Sequence, residues 1–290
     1  MMLLNKFLEI SRTVGLLPEL AQGAGGNTSF KDGKKMYVKA TGHLLKELAL
    51  GKGYICCDYS RVRKDLPNCE DENQLNDLIR NASFSGKSFG EASIETGMHV
   101  LLDKFAIHTH SVYANIFNCM VNGERLLKEI FSDQDILFLP YYNPGLTLAQ
   151  SLAVYKKNKK RLPAIIFLQN HGLITHADDW QKALNLTLQV NQDLKDYLKN
   201  RGVYRPFKIK KKAVSPSKHL FPDSVVYAEV NPHDLLPVKR QNLYEVISGS
   251  DFIIGSIESL ERTPIFISDQ DTLFIKNMEK EKLRVKMALS

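Results

Sequence analysis

The chain has 290 residues, of which 43% are apolar and 24% charged, and its formal net charge at pH 7 is +7. This length is enough to bury a sizeable core, either in one large domain or in a main domain with an appendage. No apolar run approaches the ~20 residues that a membrane-spanning helix needs, so we expect no membrane association. The cysteines contain no C-x-x-C pair, which argues against a zinc knuckle or a redox motif and indicates reduced, structural thiols at positions 56, 57, 69 and 119.

The first residues of the chain, M-M-L-L-N-K-F-L-E-I, resemble the start of an amphipathic helix and contain no signal-peptide cleavage site, so we expect a cytoplasmic protein. The positive net charge is compatible with a polyanionic partner. Part of it lies in two basic runs, at 156–161 and 208–212, but neither run has interleaved aromatic residues or belongs to a recognisable nucleic-acid-binding module. We interpret both runs as solvated loops and expect no nucleic-acid partner.

A glycine-rich loop at Gly23–Gly26 precedes a predicted β-hairpin. The hairpin is indicated by Asp32 and Gly33, an Asp-Gly pair between residues that favour strands. The loop glycines expose amide N–H groups that can form a nest for an anion, and Thr41 with Gly42 offers a second place to hold a phosphate. A plain flexible turn fits the same residues. Because no strand leads into the loop, it is not a dinucleotide-binding fingerprint.

An acidic residue, Glu95, lies in the stretch E-A-S-I-E-T-G-M-H. Apolar residues from Met98 to Phe105 have helical spacing, which predicts a helix with Ser93 as its N-cap and Glu95 in its first turn. A favourable interaction with the helix dipole is a sufficient structural reason for an acid there. The functional alternative is that Glu95 acts as a general acid and base beside the strand that follows. We interpret His99 as structural.

Two histidines end the apolar run F-A-I-H-T-H at 105–110. Side chains two residues apart on a strand lie on the same face of a sheet, so His108 and His110 would project together. A third imidazole, His171, follows another apolar run at 164–168. Three neutral imidazoles with one open coordination position are a common arrangement of catalytic zinc. The alternative is that these histidines are surface or hydrogen-bonded residues at strand ends.

The composition changes near residue 205. Pro206, the second basic run, Pro216 and Pro222 mark a linker, which divides the chain into a metal-binding catalytic domain at 1–205 and a C-terminal extension at 206–290. We predict that the extension is a small α+β module, with a hairpin formed by 263–266 and 272–275. It contains no recognisable chemical motif.

Six motifs, taken together, resemble the class II aldolase/adducin family over residues 1 to about 203, and most closely its branch of bacterial rhamnulose-phosphate aldolases. They occur in the order and approximate spacing of that family: G-G-N-T-S, V-K-A-T-G, S-I-E, H-T-H, P-Y-Y-N-P-G and Q-N-H-G-L-I. The resemblance implies a three-layer α/β/α sandwich with a mainly antiparallel central sheet, assembled as a homotetramer. It also implies Zn²⁺ or another divalent ion bound by His108, His110 and His171, with Glu95 as the catalytic proton carrier. The implied phosphate-binding residues are Asn27, Thr41, Gly42 and Ser93.

The chemistry implied by the resemblance is that of a lyase, which cleaves or forms a carbon–carbon bond in a sugar phosphate through a metal-stabilised enediolate. The same kind of site also supports epimerisation, decarboxylation or dehydration within the family, and the sequence does not select among them. An adducin-like interaction protein would lack metal ligands, whereas all three histidines and Glu95 are present here. Ile94 stands where fuculose-type aldolases have a second serine, which removes one hydroxyl from the phosphate pocket.

Overall fold

The structure is a computed structural model that describes residues 2–211 and 218–289, with the side chains of these residues except 238 and 285–289. Its central sheet is formed by β1 (Asn27–Asp32), β2 (Lys35–Lys39), β3 (Tyr54–Asp58), β4 (Phe105–Thr109), β5 (Ile136–Leu139), β6 (Ile165–Leu168) and β7 (Gly172–Ala177). The strand order within the described residues is β3-β2-β1-β4-β7-β6-β5. Of the neighbouring pairs in this sheet, β5 and β6 are parallel and the others are antiparallel, so the predicted mainly antiparallel sheet is confirmed.

Helices cover both faces of this sheet. They are α1 (Met2–Gly15), α2 (Tyr59–Asp65), α3 (Glu72–Ala82), α4 (Thr96–His99), α5 (Val112–Asn118), α6 (Gly123–Ile130), α7 (Leu146–Lys159), α8 (Trp180–Asn200), α9 (Pro222–Val226), α10 (Pro237–Ser259), α11 (Asp269–Asn277) and α12 (Glu279–Leu289). Within the described part of the chain, none of these helices has both the length and the apolar character that a membrane crossing needs.

The side chains of β6 alternate between two apolar cores, one on each face of the sheet. Ile165 and Phe167 belong to a core that also contains buried residues of α5, α6 and α8, whereas Ile166 and Leu168 belong to a core with residues of α3, α4 and α7. Successive side chains of a strand point to opposite faces, so an uninterrupted apolar strand requires cover on both sides. The α/β/α layering is therefore confirmed.

The predicted hairpin is also present. Strands β1 and β2 pair with Asp32 opposite Lys35, which leaves Gly33 and Lys34 as the turn. Gly33 has φ of +57°, in the left-handed region that glycine adopts without a steric penalty. The hairpin brings the end of β2, and with it Thr41, to the same part of the molecule as the start of β1.

The C-terminal extension packs on the main sheet domain. Buried residues of α10 and of α9 lie in the same apolar core as α5 and α8. Polar contacts reinforce this packing, since Asn170 Nδ2 donates to the carbonyl oxygens of Leu220 (2.8 Å) and Ile265 (2.7 Å). The extension and the sheet thus share one core, while the proposed division of the chain at residue 205 stays a prediction. Residues 212–217 of the predicted linker lie outside the described residues.

The predicted secondary structure of the extension was wrong. Its described part contains helices and no strand, so that part is not the predicted α+β module. The supposed second strand of the hairpin lies in α11, whose N-cap Ser268 accepts a hydrogen bond from the Asp271 N–H at 3.1 Å. The supposed first strand makes a single isolated bridge, between Pro264 and Met120. The sequence Ser-Asp-Gln-Asp occurs both in turns and at the starts of helices, because serine is a favoured N-cap and acidic residues are favoured in the first helical turn. In this structure it starts a helix.

Asn170 provides a test of how the extension is held. We expect Asn170→Gly to lower the free energy of unfolding by about 1–3 kcal/mol, because one buried and one partly buried carbonyl group lose their donor. Glycine is the appropriate replacement since Asn170 has φ of +51°. Chemical denaturation followed by circular dichroism measures the change.

The matched control is Asn122→Gly. Asn122 also has a positive φ, +62°, but it is exposed and its side chain makes no capping hydrogen bond, so this replacement should change stability little. If both variants were as stable as the wild type, the Asn170 contacts would contribute nothing to holding the extension.

Candidate metal centre

Strand pairing places the first two histidines. In the register of β4 with β7, His108 lies opposite Ile174, and His110 follows directly after β4. Ala106, two residues before His108, packs in the core beneath α4. The side-chain period of a strand therefore directs His108 toward the α4 side of the sheet.

A tight turn between β6 and β7 places the third histidine. Asn170 takes the left-handed conformation, the His171 N–H donates to the Leu168 carbonyl at 3.1 Å, and the His171 carbonyl accepts from Asn115 Nδ2 at 3.2 Å. Gly172 is required next, because a Cβ there would lie 2.3 Å from the Thr109 carbonyl oxygen. The absence of a side chain at Gly172 lets β7 approach β4 closely beside the histidines.

The carboxylate of Glu95 faces the histidines from the start of α4. The helix predicted around it is only the short α4, which begins at Thr96 with Glu95 at the N-cap position. Ser93 is therefore not the N-cap; its Oγ accepts a weak hydrogen bond from the Glu95 N–H at 3.3 Å. The helical spacing past Met98 belongs to a turn that leads into β4.

The ligand atoms of Glu95, His108, His110 and His171, together the Glu–His cluster, lie within 4.8 Å of one another, and all four residues are buried. Glu95 Oε1 is 3.2 Å from Nε2 of His108, 3.9 Å from Nε2 of His110 and 3.5 Å from Nε2 of His171. The Nε2 atoms of His108 and His110 are 3.1 Å apart. Ligands at 2.0–2.1 Å from a tetrahedral Zn²⁺ are about 3.3 Å from one another, so this donor set fits such an ion.

The outer nitrogens of two of the histidines have acceptors. Nδ1 of His108 is 3.1 Å from the Leu173 carbonyl oxygen, and Nδ1 of His110 is 2.8 Å from Asp223 Oδ2. Each Nδ1–H donates to its oxygen, which leaves Nε2 as the nitrogen directed into the cluster and able to bind a metal. Nδ1 of His171 is buried without a partner among the described residues.

The electrostatics of the cluster favour a cation. Burial alone would raise the pKa of Glu95, but His108 and hydrogen bonds from the three histidines hold it well below its usual range. Burial alone would lower the pKa of His110, but the Asp223 and Glu95 carboxylates raise it to about 9. Burial lowers the pKa of His171 to about 4, so this imidazole is neutral. In the metal-free protein a proton on His110 supplies the positive charge that the two carboxylates require.

A small cavity adjoins the cluster and is lined by three of the residues expected to bind phosphate, namely Thr41, Gly42 and Ser93. Ile94, Glu95 and His110 line the same cavity. Asn27 is fully buried at the start of β1, and neither its Oδ1 nor its Nδ2 has a partner among the described residues. A buried amide without partners is costly unless a ligand or water satisfies it.

The charged residues that complete the cavity wall are not predicted from the sequence. Lys39, Glu281 and Arg284 line it as well, and Asp223 lies just behind His110. The Lys39 ammonium donates to the carbonyl oxygens of Ala24 (3.1 Å) and His43 (3.0 Å), and burial lowers its pKa to about 8. Lys39 could have been noticed within V-K-A-T-G, but Asp223, Glu281 and Arg284 all lie in the extension, beyond the last histidine of the cluster, and no motif surrounds them.

His99 is structural, as interpreted. It is fully buried, its Nδ1 is 2.8 Å from Ser29 Oγ, and it lies outside the Glu–His cluster. Tyr113 also lies outside the cluster; it is buried in packing, and its hydroxyl donates to the Arg205 carbonyl at 3.2 Å.

Comparison with known proteins gives the same picture. The family model described as Class II Aldolase and Adducin N-terminal domain matches residues 5–198. An L-fuculose phosphate aldolase of Methanococcus maripaludis is 25% identical over 187 residues, which are 62% of this chain and 87% of that protein. YuxG of Bacillus subtilis, named an uncharacterized oxidoreductase, is 25% identical over 208 residues, which are 66% of this chain but only 29% of YuxG.

Solved structures share the fold. The N-terminal class II aldolase domain of a conserved protein from Thermoplasma acidophilum has a TM-score of 0.57 at 23% identity, covering 67% of this chain and 92% of that domain. A sugar-phosphate aldolase from Thermotoga maritima has a TM-score of 0.51 at 14% identity, covering 71% of this chain and 99% of the other. With the family model matched across most of its sheet domain, this chain belongs to the class II aldolase and adducin N-terminal domain family.

Proposed function

We propose that this protein is a metal-dependent lyase that cleaves or forms a carbon–carbon bond in a sugar phosphate. The observation that carries the proposal is the convergence of three Nε2 atoms and one carboxylate oxygen in the Glu–His cluster. The names of the relatives support it, since two of them are L-fuculose phosphate aldolases. The branch of rhamnulose-phosphate aldolases stays a prediction.

In this proposal His108, His110 and His171 hold Zn²⁺ or another divalent ion. Their Nε2 atoms are buried, and those of His108 and His110 are directed at the cluster because each Nδ1–H is donated elsewhere. The ion would act as a Lewis acid toward oxygen atoms of the substrate.

Glu95 is the proposed proton carrier. Its carboxylate is buried at the wall of the cavity, and its pKa lies well below the usual range despite that burial. It is thus present as the carboxylate. In the cleavage direction it would accept a proton from a substrate hydroxyl and pass it to the carbon whose bond has broken, and in the reverse direction it would take the proton from that carbon and return it to oxygen.

Asn27, Thr41, Gly42 and Ser93 are the proposed phosphate-binding residues. Three of them line the cavity beside Glu95, and the unpaired amide of Asn27 is the group that most needs a ligand. Gly42 has φ of +73°, a conformation in which its backbone can turn toward a ligand without strain. Ile94 contributes an apolar wall in place of a hydroxyl. We further propose a cytoplasmic homotetramer, which the family resemblance supports.

Metal content is the first test. We expect purified wild-type protein to bind about one equivalent of Zn²⁺ or another divalent ion, and His171→Ala to lose it, because only two imidazoles then remain. Inductively coupled plasma mass spectrometry after dialysis measures the stoichiometry.

His176→Ala is the control for this experiment. His176 is buried as His171 is, but it contacts Asp103 and the Pro163 carbonyl, away from the cluster, so its removal should leave the metal in place. Wild-type protein that binds none of Zn²⁺, Co²⁺ or Mn²⁺ after reconstitution would rule out the proposed metal enzyme.

Replacing the proton carrier tests the reaction. Glu95→Gln should keep its metal and lower turnover of L-fuculose 1-phosphate or a related ketose 1-phosphate roughly 10²- to 10⁴-fold, the usual range for a lost general acid or base. A coupled assay for released dihydroxyacetone phosphate measures the rate.

Glu91→Gln, four residues earlier in the chain and exposed, should retain normal turnover. Near-normal cleavage by the Glu95→Gln protein would show that another group moves the proton.

A further inference from the structure

The extension contributes a buried carboxylate to the metal centre. Asp223 lies in the first turn of α9 and is 1% exposed. Its Oδ2 is 2.8 Å from Nδ1 of His110, and no other carboxylate of the described residues is hydrogen-bonded to the outer nitrogen of a histidine in the Glu–His cluster. Residue 223 lies beyond the part of the chain that the family model matches.

The contact fixes the ring in the orientation that a metal ligand requires. His110 donates its Nδ1–H to Asp223, so Nε2 is the nitrogen left to bind a metal, and it faces Nε2 of His108 at 3.1 Å. A carboxylate acceptor also makes an imidazole a more basic ligand than a carbonyl acceptor does. His108 has such a carbonyl, that of Leu173.

Asp223 is itself held in place on its other side. Its Oδ1 accepts from the Arg284 guanidinium of α12, and Arg284 Nη1 also donates to Glu281 Oε2 at 3.1 Å. The Arg284 guanidinium lies 5.6 Å from the ring centroid of Tyr227. Both carboxylate oxygens of Asp223 are therefore used, which prevents the side chain from rotating away from His110.

The glycine-rich loop leaves space for this contact. A Cβ at Gly25 would lie 2.3 Å from Asp223 Oδ2 and 2.7 Å from His110 Nδ1. Only a residue without a side chain allows the loop to pass over the pair, so the loop has a structural role distinct from binding an anion.

We propose that Asp223 is the positioning residue of His110, so that the C-terminal extension supplies an outer carboxylate of the metal centre. This inference rests on the proposed function, because it requires the Glu–His cluster to bind a cation. The alternative is that Asp223 serves only to dock α12 through Arg284, in which case its contact with His110 is incidental.

The test is the affinity for Zn²⁺ of wild-type protein and of Asp223→Asn, measured by competition with a chromophoric chelator. Asparagine keeps the size of the side chain and removes its charge. Loss of an outer-shell partner typically weakens metal binding roughly 10- to 100-fold, and we expect a change in this range. The visible spectrum of the Co²⁺-substituted protein should also change, because it reports ligand geometry.

Asp103→Asn is the matched control. Asp103 Oδ2 is likewise 2.8 Å from a histidine Nδ1, that of His176, but this pair lies outside the cluster. Its replacement removes the same kind of bond and should leave the affinity for Zn²⁺ and the Co²⁺ spectrum unchanged.

The outcomes separate the two proposals. If the wild type binds Zn²⁺ and a folded Asp223→Asn protein binds it within twofold, the role of Asp223 is overturned while the metal enzyme stands. Equal weakening in both variants would also overturn it. A wild type without metal overturns both proposals.

If the Asp223→Asn protein does not fold, the role of Asp223 can be tested on the wild-type protein by NMR. Long-range ¹H–¹⁵N spectra of the Zn²⁺-loaded protein, labelled at histidine, report which nitrogen of His110 carries the hydrogen. A protonated Nδ1 supports the proposal, and an unprotonated Nδ1 overturns it.

Discussion

Two imidazole nitrogens that face each other across 3.1 Å, with a buried carboxylate beside them, are stable only if a positive charge lies among them. A proton on His110 meets this requirement in the metal-free protein, and a divalent ion meets it more completely because all the lone pairs then have a partner. Several features of the surrounding backbone bring these groups close together. Strand β7 comes close to β4 only because Gly172 has no side chain, and the left-handed turn at Asn170 directs His171 back toward the sheet.

The sequence predicted the sheet domain well because its signals are local. The spacing of His108 and His110 on an apolar strand is sufficient to place both side chains on one face. The hairpin at Gly33 follows from turn chemistry. The third histidine, His171, is indicated only by its place after another apolar run, and the family resemblance is what implies that it joins the other two, since no spacing rule connects them. The sequence gives no strand signal for β7, because G-L-I-T-H-A is short and directly follows the histidine turn.

The extension could not be predicted from the same signals. Prolines and lysines around its start have the composition of a linker. Ser268 with its acidic neighbours is typical of a turn between two strands, although it caps α11. Asp223 has no motif around it, and its partner His110 lies 113 residues earlier. Contacts of this kind depend on how α9 and α12 pack against the glycine-rich loop, which is tertiary information that residue spacing does not contain.

Asn170 and Asp223 each connect the Glu–His cluster to the C-terminal extension. Asn170 shapes the turn that presents His171 while its side chain holds the carbonyl oxygens of Leu220 and Ile265, and Asp223 joins His110 to Arg284. Thermodynamic linkage makes such coupling reciprocal. A cation that binds more tightly when the extension is docked must hold the extension more tightly by the same free energy. A bound cation would therefore lower the fraction of molecules in which α12 is detached from the sheet domain.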